Sequence, residues 1–158
     1  MFQIRALEET DRPLVVEKLA AARGSAMIVS RGQVYDLTML PGLLAVQDAA
    51  PVGLLMYHVD GPSCAIITLN SWQEGQGIGT KLVNAMQQLA QQQHCQRVCL
   101  IITNDNLAAQ RFYLQRGFVV KTVYPNAVEI SRLLMPEIPT VSADGIPITD
   151  EIELEMTL

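Results

Sequence analysis

The hexapeptide Glu74-Gly75-Gln76-Gly77-Ile78-Gly79 separates two hydrophobic patterns of different period. Before it, Cys64 to Leu69 is a short apolar run of strand length. After it, Leu82, Val83, Met86, Leu89 and Ala90 recur with helical spacing. A strand must therefore become a helix across three near-adjacent glycines. Glycine lets the backbone approach a ligand with no Cβ in the way. The N–H groups of the first helical turn, together with the helix dipole, favour an anion there, and phosphate is the usual guest. Two familiar phosphate motifs fail on spacing. A dinucleotide fingerprint beginning at Gly75 needs glycine at position 80, which is Thr80. A P-loop needs Lys followed by Ser or Thr, whereas here Lys81 follows Thr80. The glycines form either a different anion cradle or a bare strand-to-helix turn.

The elements around this turn read as α+β. Phe2 to Ala6 alternates as a strand, and Thr10 or Asp11 offers a cap for a helix carrying Leu14, Val15, Leu19 and Ala22, which Gly24 stops. Met27 to Ser30 supports no firm assignment. Leu43 to Val46, Val52 to Val59 and Cys64 to Leu69 are strands joined by tight turns, which predicts an antiparallel meander. Beyond the glycine-started helix, Val98 to Ile102 is a strand, Asn106 to about Gln115 a helix stopped by Gly117, and Phe118 to Val123 a strand. The segment from Asn126 to Asp150 is irregular and long for a strand connection. Ile152, Leu154 and Met156 then alternate with Glu151, Glu153 and Glu155, predicting a last strand with one wet, acidic face. No repeat or second domain is visible, so residues 1–158 are expected to form a single domain.

Composition excludes some partners. The 11 Lys and Arg against 16 Asp and Glu leave a formal net charge of -5. Nothing in that balance neutralises a phosphate backbone or an acidic membrane, so neither nucleic acid nor membrane is expected as a partner. Cys64, Cys95 and Cys99 suit neither a disulfide framework nor a metal knuckle, and His58 and His94 complete no zinc set, so no metal is expected. With no apolar leader or span, the expected location is cytoplasmic.

A second motif stands at Asn106-Leu107-Ala108-Ala109-Gln110-Arg111-Phe112-Tyr113-Leu114-Gln115-Arg116-Gly117-Phe118. Asn106 either caps the helix or offers a polar group to a ligand. Ala109 permits close approach. Tyr113 is either a half-buried core residue or a proton donor. Phe112 and Phe118 are core candidates.

Together the two motifs resemble those of the GCN5-related N-acetyltransferase (GNAT) superfamily. The first is similar to its pyrophosphate loop, Arg/Gln-x-x-Gly-x-Gly/Ala. The second is similar to Asn-x-x-Ala-x-x-Phe-Tyr-x-x-x-Gly-Phe, matched at every specified position from Asn106 to Phe118. The resemblance covers about residues 2 to 124 plus the last strand. It implies an acyl-CoA N-acyltransferase fold, a mixed central sheet flanked by helices. It also implies acetyl-CoA as acetyl donor and an amine acceptor attacking the thioester directly in a ternary complex. Backbone N–H groups of Gln76, Gly77, Ile78, Gly79 and Thr80 would hold the pyrophosphate. The pantetheine arm would run along Leu69 and Asn70, with Asn106 touching it. A backbone N–H near Leu69 would meet the developing oxyanion, and Tyr113 would protonate the leaving thiolate.

Two departures follow. Glu74 stands where the family has Arg or Gln, and is expected to point outward or cap the turn. No carboxylate lies on Cys64 to Leu69, where many relatives carry a glutamate base; His58, Asp60 and Glu74 are nearby, Thr68 could orient a water, and a water-mediated base is expected. The missing glutamate leaves a non-catalytic acyl-CoA sensor or structural protein of the same fold as the alternative. Trp72 is expected to cover the helix N-terminus. Acidic residues after Ala127, with Arg132 as the only base, either line a cleft for a cationic amine or keep a strand face soluble. The acceptor is therefore expected to be a small molecule or protein amine, a small amine being favoured. A homodimer would protect an exposed edge strand.

Overall fold

A computed structural model describes residues 1–158. The alternating N-terminal segment forms β1 (Gln3–Ala6), and a single 3-10 turn (Glu9–Asp11) leads into α1 (Arg12–Arg23). Pro13 sits in the first turn of α1, where its missing N–H costs nothing. Gly24 ends the helix in the left-handed region at φ 77°, its N–H donating to the Ala20 carbonyl at 2.7 Å. Asp11 does not cap α1 with its side chain. Its carboxylate accepts from the Glu8 N–H at 2.8 Å and forms a two-pronged pair with Arg5 at 2.7 and 2.9 Å.

The predicted meander is present. β4 (Gly42–Gln47), β5 (Ala50–Asp60) and β6 (Ser63–Ser71) pair antiparallel in sequence, and β1 pairs antiparallel with β4. The register of β5 with β6 shifts by one residue between Met56↔Thr68 and Tyr57↔Ile66, so Ile67 is the extra residue of a bulge on β6. α2 (Ile78–Gln92) buries Ile78, Leu82, Val83, Met86 and Ala90, the stripe read from its spacing. Backbone contacts group these elements into one compact unit, residues 1–28, 36–98 and 158. Its core includes Leu19, Leu54, Leu55, Met56, Leu82 and Met86.

Residues 29–35 and 99–157 form a second unit. It holds most of β7 (Arg97–Thr103), then α3 (Leu107–Gln115), β8 (Val119–Tyr124), α4 (Ala127–Leu134) and β9 (Glu151–Thr157). β9 lies beside β7 and pairs antiparallel with β8, with a register shift that leaves Lys121 unpaired between Val120 and Thr122.

Three features add to or differ from the sequence expectation. Met27–Ser30 is a strand, β2, which forms a hairpin with β3 (Gln33–Asp36). Arg31 and Gly32 both have positive φ, 50° and 72°, as the two central residues of a tight hairpin turn require. The segment read as irregular contains α4, which begins after Asn126 in the left-handed region. Its buried face is Ala127, Val128 and Ser131, while the larger Ile130, Leu133 and Leu134 point outward, so apolar spacing gives the wrong face.

The third difference is a correction. The face of β9 carrying Glu151 and Glu153 is not wet: they retain 3% and 8% of their surface. The Ser131 hydroxyl donates to Glu151 at 3.2 Å, and the hairpin turn places Arg31 against the same carboxylate at 3.4 Å. The Tyr124 hydroxyl donates to Glu153 at 3.0 Å. Alternation identified the face, but α4 and the hairpin cover it. Burial is tolerable because each carboxylate is hydrogen-bonded and has a cation within reach.

Candidate functional site

In the first unit the site begins with β6. Its ladder to β5 ends at Gly53↔Ser71, and the Trp72 N–H still donates to the Val52 carbonyl at 2.9 Å. The chain then turns through residues 73–77. Gly75 and Gly77 have φ of 77° and 72°, a region that costs other L residues about 1–2 kcal/mol. A Cβ built on either glycine would meet no protein atom within 4 Å, so this side of the loop is open. Gly77 is the N-cap of α2 and no side chain caps the helix. The first helical N–H groups have no intrahelical acceptor by construction. Gln76 is exposed, Gly79 and Thr80 are half-buried, and Ile78 points into the core. The donor set is thus backbone N–H at an uncapped 15-residue helix, which fits a phosphate group.

What seats that helix end is Gly53, which the sequence reading did not single out. A Cβ there would overlap Ile78 Cγ2 and lie 3.2 Å from Leu82 Cδ1. The absent side chain lets the first turn of α2 lie directly on β5. A glycine inside a strand is the signal that could have revealed this close approach.

Leu69 and Asn70 are half-buried, opposite Leu55 and Leu54. The buried Thr68 hydroxyl donates to Asn70 Oδ1 at 2.9 Å. Glu74 is exposed. Trp72 is half-buried, and Lys18 Nζ of α1 stands 4.8 Å from its ring centroid. All three cysteines are buried and none is in a disulfide.

The second unit carries the other two expected residues. Asn106 is the N-cap of α3, its Oδ1 accepting from the Ala109 N–H at 3.1 Å. The helix engages one lone pair of the oxygen, and the amide nitrogen is the side chain's hydrogen-bond donor. Tyr113 is 6% exposed. Its ring packs edge-to-face against Phe112 and Phe118, with centroids at 5.1 and 5.3 Å. Burial pushes its phenol well above the ordinary value of 10.0, and Arg116 offsets this only partly. The group keeps its proton at any physiological pH. Arg116 is held by its bond to the Phe112 carbonyl at 2.8 Å and lies 3.6 Å from that ring's centroid. Gln76 to Thr80 with Leu69 and Asn70 thus belong to the first unit, and Asn106 with Tyr113 to the second.

The sequence reading also missed a cluster in the second unit. Arg31, Tyr124, Ser131 and Glu151 meet there from the hairpin, β8, α4 and β9.

The chain is similar to known proteins in sequence and in fold. The model of the Acetyltransferase (GNAT) family matches residues 17–118, more than half of the chain. The uncharacterized protein YdhI of Bacillus subtilis (strain 168) is 45% identical over 127 residues, 80% of this chain and 79% of that protein. YxbD of the same organism is 36% identical over 132 residues, 83% of each. Among solved structures, a GNAT family acetyltransferase from Elizabethkingia anophelis with acetyl-CoA bound aligns with a TM-score of 0.71 at 18% identity, over 99% of this chain and 98% of that one. A Bacillus subtilis acetyltransferase in complex with CoA aligns with a TM-score of 0.71 at 14% identity, over 100% and 99%. At these identities the solved structures speak for the fold, α+β with a mostly antiparallel sheet and flanking helices.

Proposed function

We propose that this chain, which belongs to the GNAT acetyltransferase family, transfers an acetyl group from acetyl-CoA to an amine acceptor, both held together in one ternary complex. The observation that carries the reading is the uncapped N-terminus of α2 behind two left-handed glycines. In our assignment the backbone N–H groups of Gln76, Gly77, Ile78, Gly79 and Thr80 hold the pyrophosphate. Leu69 and Asn70 supply the strand edge for the pantetheine arm, and the amide nitrogen of Asn106 contacts it.

Acetyl-CoA supplies an activated acyl group and a thiolate leaving group. The protein's tasks are to align the amine with that group and to move protons. Tyr113 is assigned as the acid that gives its phenolic proton to the thiolate, and burial keeps that proton in place until then. No carboxylate of β6 is available as base. A water is assigned to take the amine proton, with the Thr68 hydroxyl, already fixed by Asn70, as its orienting group. Positioning supplies much of the rate for such a reaction.

The buried cysteines, none of them in a disulfide, suit a reducing, cytoplasmic setting, and no helix is long and apolar enough to cross a membrane. Residues 1–158 act as one domain in this proposal.

The test is calorimetric titration with acetyl-CoA, with NAD as control, followed by an amine screen for CoA release. Saturable binding at one site per chain with turnover on an amine is the expected result. Binding without turnover on any amine would favour a non-catalytic acyl-CoA sensor. No binding would return the glycine loop to a structural turn.

A further inference from the structure

Glu151 is buried on β9, and Arg31 closes over it from the tip of the β2–β3 hairpin. The Arg31 backbone N–H and Nη1 each reach a Glu151 oxygen at 3.4 Å. The guanidinium carbon lies 3.4 Å from the Tyr124 ring centroid, a stacked cation–π contact. The plane of the fork is therefore set from one side by an aromatic ring and from another by a carboxylate. Glu151 occupies only Nη1; Nε and Nη2 bond to nothing in the protein. The side chain is 42% exposed, so these donors are reachable.

The position is as informative as the fork. Glu151 follows Asp150, whose backbone N–H donates to Asn104 Oδ1 at 3.0 Å and whose carbonyl accepts from the Asn104 N–H at 3.0 Å. Two residues beyond Asn104, Asn106 caps α3. Arg31 thus stands at the same end of β9 as the residue assigned to the pantetheine arm. The charges that face it also matter. Glu151 and Glu153 are buried and hydrogen-bonded, whereas Arg31 and Lys121 keep 42% and 45% of their side-chain surface. These two acids form no open acidic cleft. The members of these ion pairs most open to solvent are the cations Arg31 and Lys121, with Glu155 also 3.9 Å from Lys121.

We infer that Arg31 is a specificity residue that binds the carboxylate of an amino-acid-type acceptor through Nε and Nη2. The acceptor then carries its reacting amine and a carboxylate on one small molecule. A planar fork held flat on an aromatic ring, with one nitrogen already neutralised, matches a carboxylate with two parallel hydrogen bonds. This rests on the acetyl-transfer reading above.

The experiment titrates the protein, saturated with CoA, with a panel of N-acetyl amino acids and their C-terminal amides. The expected result is binding of at least one acid, with its amide weaker by about 10- to 100-fold, the value of a hydrogen-bonded charge. R31Q should lose that preference while keeping its affinity for acetyl-CoA, and R31K should retain part of it. The inference is overturned if acids and amides bind alike, if no acid in the panel binds, or if R31Q discriminates as the wild type does. It is equally overturned if R31Q loses acetyl-CoA affinity and melting temperature together, since Arg31 would then be a strut for the hairpin. The wild-type comparison of acid with amide needs no variant. Failure of the acetyl-transfer reading would show separately, as absent acetyl-CoA binding or turnover.

Discussion

Gly53 on β5 and Ile78 at the first position of α2 are in such close contact that a Cβ on Gly53 would overlap Ile78 Cγ2. The same Cβ would lie 3.2 Å from the Asn70 carbonyl oxygen, which belongs to the ladder and cannot swing away. Gly53→Ala should therefore cost about 1–3 kcal/mol, the usual range for overpacking. Because the displaced atoms belong to the first turn of α2, acetyl-CoA affinity should fall as well. Thermal melting and calorimetry on one preparation test both.

Gly77→Ala separates a turn from a binding loop. Its Cβ would meet no protein atom, so the stability cost is only that of a left-handed alanine, about 1–2 kcal/mol. If the pyrophosphate sits on the α2 N-terminus, acetyl-CoA affinity should drop at least about tenfold, or roughly 1.4 kcal/mol. An unchanged dissociation constant would make the loop a turn and nothing more.

For Tyr113, Y113F should lower kcat by about 100-fold or more, the scale of a lost general acid, with little change in acetyl-CoA affinity. Burial holds the phenol well above its ordinary 10.0. The wild-type rate should thus show no alkaline limb from this group up to about pH 10. Unchanged turnover in Y113F would remove the acid role.

Asn106 has one job shown by geometry, the cap, and one proposed. Asn106→Ser keeps an oxygen that accepts from the Ala109 N–H, so stability should hold, whereas Asn106→Ala should lose about 1 kcal/mol. If the amide nitrogen contacts the pantetheine arm, both variants should weaken acetyl-CoA binding. A serine variant with full affinity would leave Asn106 as a cap alone.

Asp11 carries a pH dependence. Its hydrogen bonds from Arg5 hold its carboxyl down, from 3.8 to about 2. A depressed carboxyl stabilises the fold above its unfolded value and loses that effect as pH falls through the folded one. The stability gap between wild type and D11N should be constant above about pH 5, and should shrink as the pH falls toward about 2. Denaturant unfolding at a series of pH values would read it directly. A gap that persists unchanged at the acid end would contradict the assignment.

Much of this protein was legible residue by residue. The glycine turn announced itself because φ values of 77° and 72° at Gly75 and Gly77 are a backbone requirement that few other residues meet. The Asn106 cap and the Gly24 stop were readable for the same reason. The stripe on α2 was readable because its buried side chains repeat with the helical period. Each signal lies within a few neighbouring residues, so local order alone reveals it.

The misreadings lie where distant segments meet. Glu151 and Glu153 alternate as a solvent face would, yet α4 and the hairpin turn at Arg31 close over them. The outward Ile130, Leu133 and Leu134 of α4 show the same in reverse. Alternation says that two faces differ, not which of them another part of the chain will cover. Turns, caps, the helix stripe and strand alternation are properties of short stretches, and the order of residues is enough to specify them. The partners of Glu151 and the seat for α2 at Gly53 exist only in the folded chain. Burial and close approach depend on what arrives from elsewhere. Arg31 reaches Glu151 across 120 positions of sequence, and no local pattern carries that information.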